Sequence, residues 1–128
     1  METEDNASET LATWCRYKKI RIAHLANERK TSWITGAKLK RMGVSRGVPD
    51  YMIIINKKQA KNNKAKLVFI ELKRSKRMLK DGSKSKADLS TPEQKEWLKE
   101  LNMTPNVNTY LCYGSGEAID ILEELISD

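Results

Sequence analysis

Three side chains in the middle of the chain have the types and spacing to act together. Asp50 stands at the head of the apolar run Tyr51-Met52-Ile53-Ile54-Ile55, and Glu71 and Lys73 close the run Leu67-Val68-Phe69-Ile70-Glu71-Leu72-Lys73. Side chains of a strand alternate between its faces, so Glu71 and Lys73 point to one side of a sheet and Leu72 to the other. If the two runs pair as neighbouring strands, Asp50 comes near Glu71. Two carboxylates converging beside an ammonium suit a hard divalent cation. They also suit phosphodiester hydrolysis, where positive charge offsets the charge that develops on phosphorus. The bland alternative is an exposed Glu71–Lys73 ion pair on an edge strand. Against it, both flanking runs read as strands buried on both faces, where a terminal charge needs a partner.

Other elements must hold these strands. Residues 4–19 read as a helix, with Ala7, Leu11, Trp14, Cys15 and the stem of Lys18 at helical spacing. Ser8 is a rival start for it. Residues 20–25 alternate as a short extended segment, and a short helix is possible around 36–42. Gly43-Val44-Ser45-Arg46-Gly47 turns into the Asp50 strand. Gly47 permits a tight backbone there, and Pro49 suits a strand start, where no ladder bond is lost. Residues 75–89 read as a mobile loop or frayed hairpin. Thr91-Pro92-Glu93-Gln94 opens a helix, with Thr91 as cap and Pro92 at its first position. Gln94 shares a face with Trp97, Leu98 and Leu101, toward the sheet. It could equally close a capping box with Thr91. Val107 to Tyr113 is a further buried strand. Ala118, Ile121, Leu122, Leu125 and Ile126 make the apolar stripe of a last helix. The order fits one α/β domain over residues 1–128, a central mixed sheet flanked by helices.

Asp50, Glu71 and Lys73 fit the Pro-Asp…Glu-X-Lys pattern of the restriction-endonuclease-like nucleases. Gly47-Val48-Pro49-Asp50, then Phe69-Ile70-Glu71-Leu72-Lys73, then Pro92-Glu93-Gln94 resembles the VRR-type (virus-type replication-repair) nuclease domain more closely, over nearly the whole chain. The resemblance implies a restriction-endonuclease-like core of αβββαβ type. It implies Mg²⁺ or Mn²⁺ held by Asp50, Glu71 and the Leu72 carbonyl, with a helix-1 glutamate joining directly or through water. Lys73 would orient a water or stabilise phosphoryl charge, and Gln94 would stand at the active site. For the helix-1 acid, Glu4 is favoured over Glu9, because it shares the face of Ala7, Leu11 and Cys15. Both could equally be ordinary first-turn acids. His24, Asn27 and Glu28 resemble a His-X-X-Asn-Glu segment of relatives. His24 could act as a base or a phosphate contact, or be structural. Asn27 and Glu28 could shape the site or a turn.

The chain has 24 Lys and Arg and a net charge of +7, which implies a polyanionic partner. Lys57, Lys58, Lys61, Lys64 and Lys66 crowd one turn. Arg74, Lys76, Arg77, Lys80, Lys84 and Lys86 follow the Glu71 strand, and Arg46 precedes Asp50. They would track phosphates or simply be solvated. Trp33 would stack on a base or pack in the core. Cys15 and Cys112 read as free thiols in a reducing compartment, and a lone histidine with no close cysteine pair argues against zinc. The acidic start lacks the pattern of a secretory leader and no run reaches membrane-spanning length, so a cytoplasmic location is expected.

No helix rich in base-reading side chains stands out, which argues against sequence-specific cleavage. By resemblance to stand-alone phage and bacterial repair nucleases, the expected activity is structure-selective cleavage of branched DNA, four-way junctions above all, by a homodimer with no organic cofactor. Flap or exonuclease activity, a restriction-like enzyme and a non-catalytic nucleic-acid-binding module are the alternatives.

Overall fold

The structure is a computed structural model and describes residues 2–25, 36–76, 79–85 and 89–127. Helix α1 (Glu4–Tyr17) starts where Thr3 accepts the Asn6 N–H at 3.2 Å. It ends two residues short of the expected boundary. Lys19 takes φ +60°, while the N–H groups of Lys19 and Ile20 return to the carbonyls of Arg16 and Cys15. That is a Schellman ending with lysine where glycine is usual. Ala7, Leu11 and Cys15 are its buried stripe. Lys18 is exposed rather than laid into the core, with its ammonium 6.0 Å from the centre of the Trp14 ring.

Four strands form one sheet in the order β1-β2-β3-β4: β1 (Arg21–His24), β2 (Tyr51–Ile55), β3 (Lys66–Lys73) and β4 (Val107–Tyr113). The first three are antiparallel to their neighbours, and β3 and β4 are parallel. A parallel pair requires a crossover, and α3 (Pro92–Asn102) supplies it. A short α2 (Gly36–Arg41) precedes β2, and α4 (Ser115–Leu125) follows β4. The result is a mixed α/β sheet flanked by helices, as expected.

The alternation of β3 divides the two faces. Val68, Ile70 and Leu72 join Tyr51, Ile53, Ile55 and Cys112 in a core closed by Ala7 and Leu11 of α1 and Ala118 and Leu122 of α4. Burial pushes the Cys15 and Cys112 thiols up to about 11 and about 12, so both are inert core residues. Phe69, Glu71 and Lys73 belong to the opposite face. There α3 packs over β4, where Thr109 donates to the Leu98 carbonyl at 3.1 Å. This second face is covered less completely. Ile54 of β2 is 38% exposed, so β2 is not buried on both sides as its composition suggested.

The basic connection from β2 to β3 is ordered. Gln59 donates to the Lys19 carbonyl at 2.8 Å, and its own carbonyl receives the Ser127 N–H. Its lysines lie at the Ile55–Lys66 end of the sheet. Asp50 and Glu71 lie at the other end, the length of β2 away, roughly 17 Å. Among the described residues, no helix is long and apolar enough to cross a membrane.

Helix α4 begins at Gly114, which offers no capping side chain. Glu2 supplies the cap from the other end of the chain, accepting the Ser115 N–H at 2.8 Å and the Ser115 hydroxyl at 2.6 Å. Its carbonyl also accepts the Ser75 N–H, just past β3. Glu2→Ala should therefore lower unfolding free energy by about 1–2 kcal/mol in urea titrations. An unchanged midpoint would show that this cap carries no stability.

Candidate active site

The antiparallel register sets Tyr51 opposite Ile70. One step further along, Asp50 faces Glu71, and two steps further, Pro49 faces Leu72. Ordinarily the Leu72 N–H would enter the ladder. Instead it donates to Asp50 Oδ2 at 2.9 Å, which fixes the carboxylate against the strand end. In a hydrogen-bonded antiparallel pair, a residue's N–H and C=O address the same neighbour. The Leu72 carbonyl therefore faces Pro49, which has no N–H to give it. That leaves its oxygen beside Asp50 without a ladder donor from β2. The Asp50 carbonyl in turn receives the Leu25 N–H from the β1 side.

Glu71 is 3% exposed, and among the described residues its Oε1 has no hydrogen-bond partner. Lys73 Nζ stands 3.6 Å from Oε2. Burial, then hydrogen bonding to the Asp50 carboxyl, then the Asp50 charge push the Glu71 carboxyl from its ordinary 4.5 to about 8, and the Lys73 ammonium only partly opposes them. Without a bound cation, burial and the neighbouring Asp50 therefore favour the protonated form of Glu71. One unspent carboxylate oxygen, a second carboxylate and a strand-end carbonyl make an all-oxygen set of the kind that holds Mg²⁺ or Mn²⁺.

Glu4 is not part of this cluster. It is exposed in the first turn of α1, where acids are favoured by the helix dipole. Glu9 is exposed too. Among the described residues, no group of three or more His, Cys, Asp or Glu could hold a metal. Helical phase gave Glu4 the right face of α1 but not its distance from the strand ends. The acid that reaches those ends is Glu2, and it caps α4. No local signal announces that role, since its partner lies 113 positions away.

Gln94 closes the capping box: its Oε1 accepts the Thr91 N–H at 2.9 Å, and Thr91 Oγ1 accepts the Gln94 N–H at 3.2 Å. The side-chain oxygen is committed to the cap. Gln94 is still tied to the approach to Asp50 through Gly47, whose φ is +86° and whose Cα packs on the start of α3. A Cβ there would come within 2.5 Å of the Glu93 carbonyl carbon and 2.7 Å of Gln94 N. Trp97 Nε1 donates to Ser45 in the same loop at 3.3 Å. This glycine therefore locks the Asp50 loop onto α3.

His24 pairs with Tyr51 and stacks on it at 4.7 Å, so it lies on the α1 face of the sheet, opposite Glu71. That sets its ring on the face away from Glu71 and Lys73. Of the expected DNA contacts, Arg74 and Lys76 are half-buried just beyond β3, and Arg46, Lys80 and Lys84 are exposed. Arg77, Lys86, Asn27, Glu28 and Trp33 lie outside the described residues.

No protein-family model matches the sequence, and no curated protein does. Among solved structures, a VRR_NUC domain protein superposes with a TM-score of 0.66, over 96% of this chain and 87% of that one, at 23% identity. The two share a fold. At that identity the likeness is one of architecture, and it agrees with the restriction-endonuclease-like core expected from the motif.

Two outcomes test the site. Folded Glu71 holds a proton that the unfolded chain releases near 4.5. The stability of metal-free protein should therefore fall as pH rises from 4.5 to about 8 and level off above. Thermal melts across pH 5–9 read this, and Glu71→Gln should flatten the slope; a variant with the wild-type slope would place the titration elsewhere. Gly47→Ala should lower the melting temperature by about 5 °C or more, through the positive φ and the clash with α3, and a wild-type melt would contradict that packing.

Proposed function

We propose that the chain is a Mg²⁺- or Mn²⁺-dependent nuclease that hydrolyses DNA phosphodiester bonds, selecting branched substrates such as four-way junctions, and that it works as a homodimer. The observation that carries the reading is the buried Glu71 carboxylate, with Asp50 across from it, an unspent oxygen and Lys73 alongside. The fold shared with a VRR_NUC domain protein supports it.

Asp50, Glu71 and the Leu72 carbonyl are the groups that would hold the divalent ion, which when bound supplies Lewis acidity at the scissile phosphate. The chain's own groups do the rest. The Leu72 N–H keeps the Asp50 carboxylate aimed at the strand end. Lys73 has a side chain 13% exposed and is held against Glu71. It offsets the charge that gathers on the phosphoryl oxygens, or moves a proton there. Among the described residues, Gln94 uses only its side-chain oxygen in the cap, which leaves its nitrogen to donate to a phosphate oxygen. Arg74 and Lys76 beyond β3 and Arg46 before Asp50 bring positive charge to both sides of the site. Contacts of this kind read the backbone rather than base edges, which favours selection by DNA shape. Two copies related by a two-fold axis would present two such sites to strands of opposite sense.

The test uses labelled linear duplex, flap and four-way-junction DNA, with and without Mg²⁺ or Mn²⁺. Cleavage of the junction that requires the metal is expected. Asp50→Ala and Glu71→Ala should abolish it, Lys73→Ala should cost about 10²–10³ in rate, and all three should still bind the junction. Metal-independent binding with no cleavage would make the chain a binding module, cuts at fixed sequences in linear duplex would make it restriction-like, and flap cleavage alone would move the substrate class. A clean monomer on gel filtration at micromolar concentration would count against junction resolution.

A further inference from the structure

We infer that Tyr113 is a positioning residue that holds Lys76, just past β3, and Leu89, before α3, at the edge of the active site and so sets the grip of Lys76 on DNA phosphates. The inference rests on the nuclease reading. Tyr113 is the last residue of β4 and pairs with Lys73, so its ring belongs to the face that carries Glu71 and Lys73. The Lys76 ammonium stands 4.6 Å from the centre of that ring. At the far end of the segment, the Leu89 N–H donates to the Tyr113 hydroxyl at 3.0 Å. One side chain thus meets the segment where it leaves the sheet and where it returns.

The clasp is itself firmly based. The Tyr113 N–H donates to Glu117 Oε1 at 3.1 Å, and the next residue, Gly114, donates to the Lys73 carbonyl at 2.8 Å. Between the two fastened ends, a tight turn is closed by the Leu79 N–H on the Ser83 carbonyl and by Asp81, which accepts from Ser83. Burial follows the same division. Lys76, at the ring, is half-buried, while Lys80 and Lys84, in and beside the turn, are exposed.

The consequence is electrostatic. A cation over an aromatic face keeps its charge while its position is restricted. Held there, Lys76 sits one strand-end away from Lys73, where the phosphates flanking a scissile bond would run. Fastening both ends also lowers the ordering cost that a free basic loop would meet on binding. The chemistry at Asp50 and Glu71 does not need the ring. Tyr113 should therefore govern KM and salt dependence rather than kcat.

The experiment compares wild type, Tyr113→Leu and Tyr113→Phe in three readouts: junction cleavage kinetics, junction binding against salt, and trypsin cleavage within 74–89 without DNA. Tyr113→Leu loses both contacts. It should raise KM about tenfold with kcat within about twofold, and lower the slope of log affinity against log salt by about one phosphate contact. Trypsin should cut the freed segment several-fold faster. Tyr113→Phe keeps the ring under Lys76 and loses the hydroxyl that accepts the Leu89 N–H, so its salt slope should stay near wild type with a smaller KM rise, of about threefold. This milder variant decides the matter if Tyr113→Leu fails to fold. Unchanged KM and salt slope in both variants would overturn the inference, as would a fall in kcat at constant KM. If wild type neither binds nor cuts DNA, the inference falls with the nuclease reading; the trypsin contrast, still present, would separate that from failure of the clasp alone.

Discussion

A carboxyl group 3% exposed at the end of a central strand, facing a second carboxyl, is costly as it stands. An unpartnered buried oxygen alone costs about 1–3 kcal/mol, and the neighbouring Asp50 carboxyl adds to the cost of a charge on Glu71. The chain meets part of that cost with Lys73 and with the Leu72 N–H, and among the described residues one Glu71 oxygen is left without a partner. Native interiors seldom leave such an atom without a reason. Much of the surrounding architecture follows from placing this pair. Three antiparallel strands bring Asp50 level with Glu71, and α1 and α4 bury the other side of β3 so that its end is rigid.

The short motif before β2 can be explained residue by residue on that basis. Pro49 is fully buried and has no N–H, so the ladder stops where Asp50 must turn its carboxylate toward β3. With no donor from Pro49, the Leu72 carbonyl takes no ladder bond from β2. Gly47, at φ +86°, lets the approach press against the backbone of α3. Thr91 and Gln94 hold that end of α3 closed. Capping and a place beside the site are thus compatible for Gln94: its oxygen serves the helix, and its position follows from Gly47.

Legibility in the sequence tracked the range of the interaction. The apolar runs and their turn residues gave β2, β3 and β4 nearly to the residue, because burial imposes period two on every position. If the β2 and β3 runs pair, Asp50 comes near Glu71, so these and Lys73 could be grouped from the sequence, and the register that does so is seen in the sheet. Glu4 misled because helical phase specifies a direction around the axis and says nothing about where the helix end falls over the sheet. Glu2 was invisible because its partner, Ser115, is local only in space. The lysines of residues 57–66 and Lys76 carry like charge, yet strand direction puts them at opposite ends of the sheet. Tyr113 read as one more aromatic in a buried strand. Its hydroxyl and ring acquire a role only because the basic segment returns to it.

If the Asp50–Glu71 pair holds a divalent cation, as proposed, metal binding reports on it directly. Isothermal titration of metal-free protein with Mn²⁺ at pH 7, in buffers of differing ionisation enthalpy, measures how many protons leave as the ion enters. A carboxyl pushed up to about 8 is mostly protonated at that pH, so close to one proton per ion should be released. Both the proton and the binding should be lost in Asp50→Asn. Binding with no proton released, or equal binding by Asp50→Asn, would contradict the account.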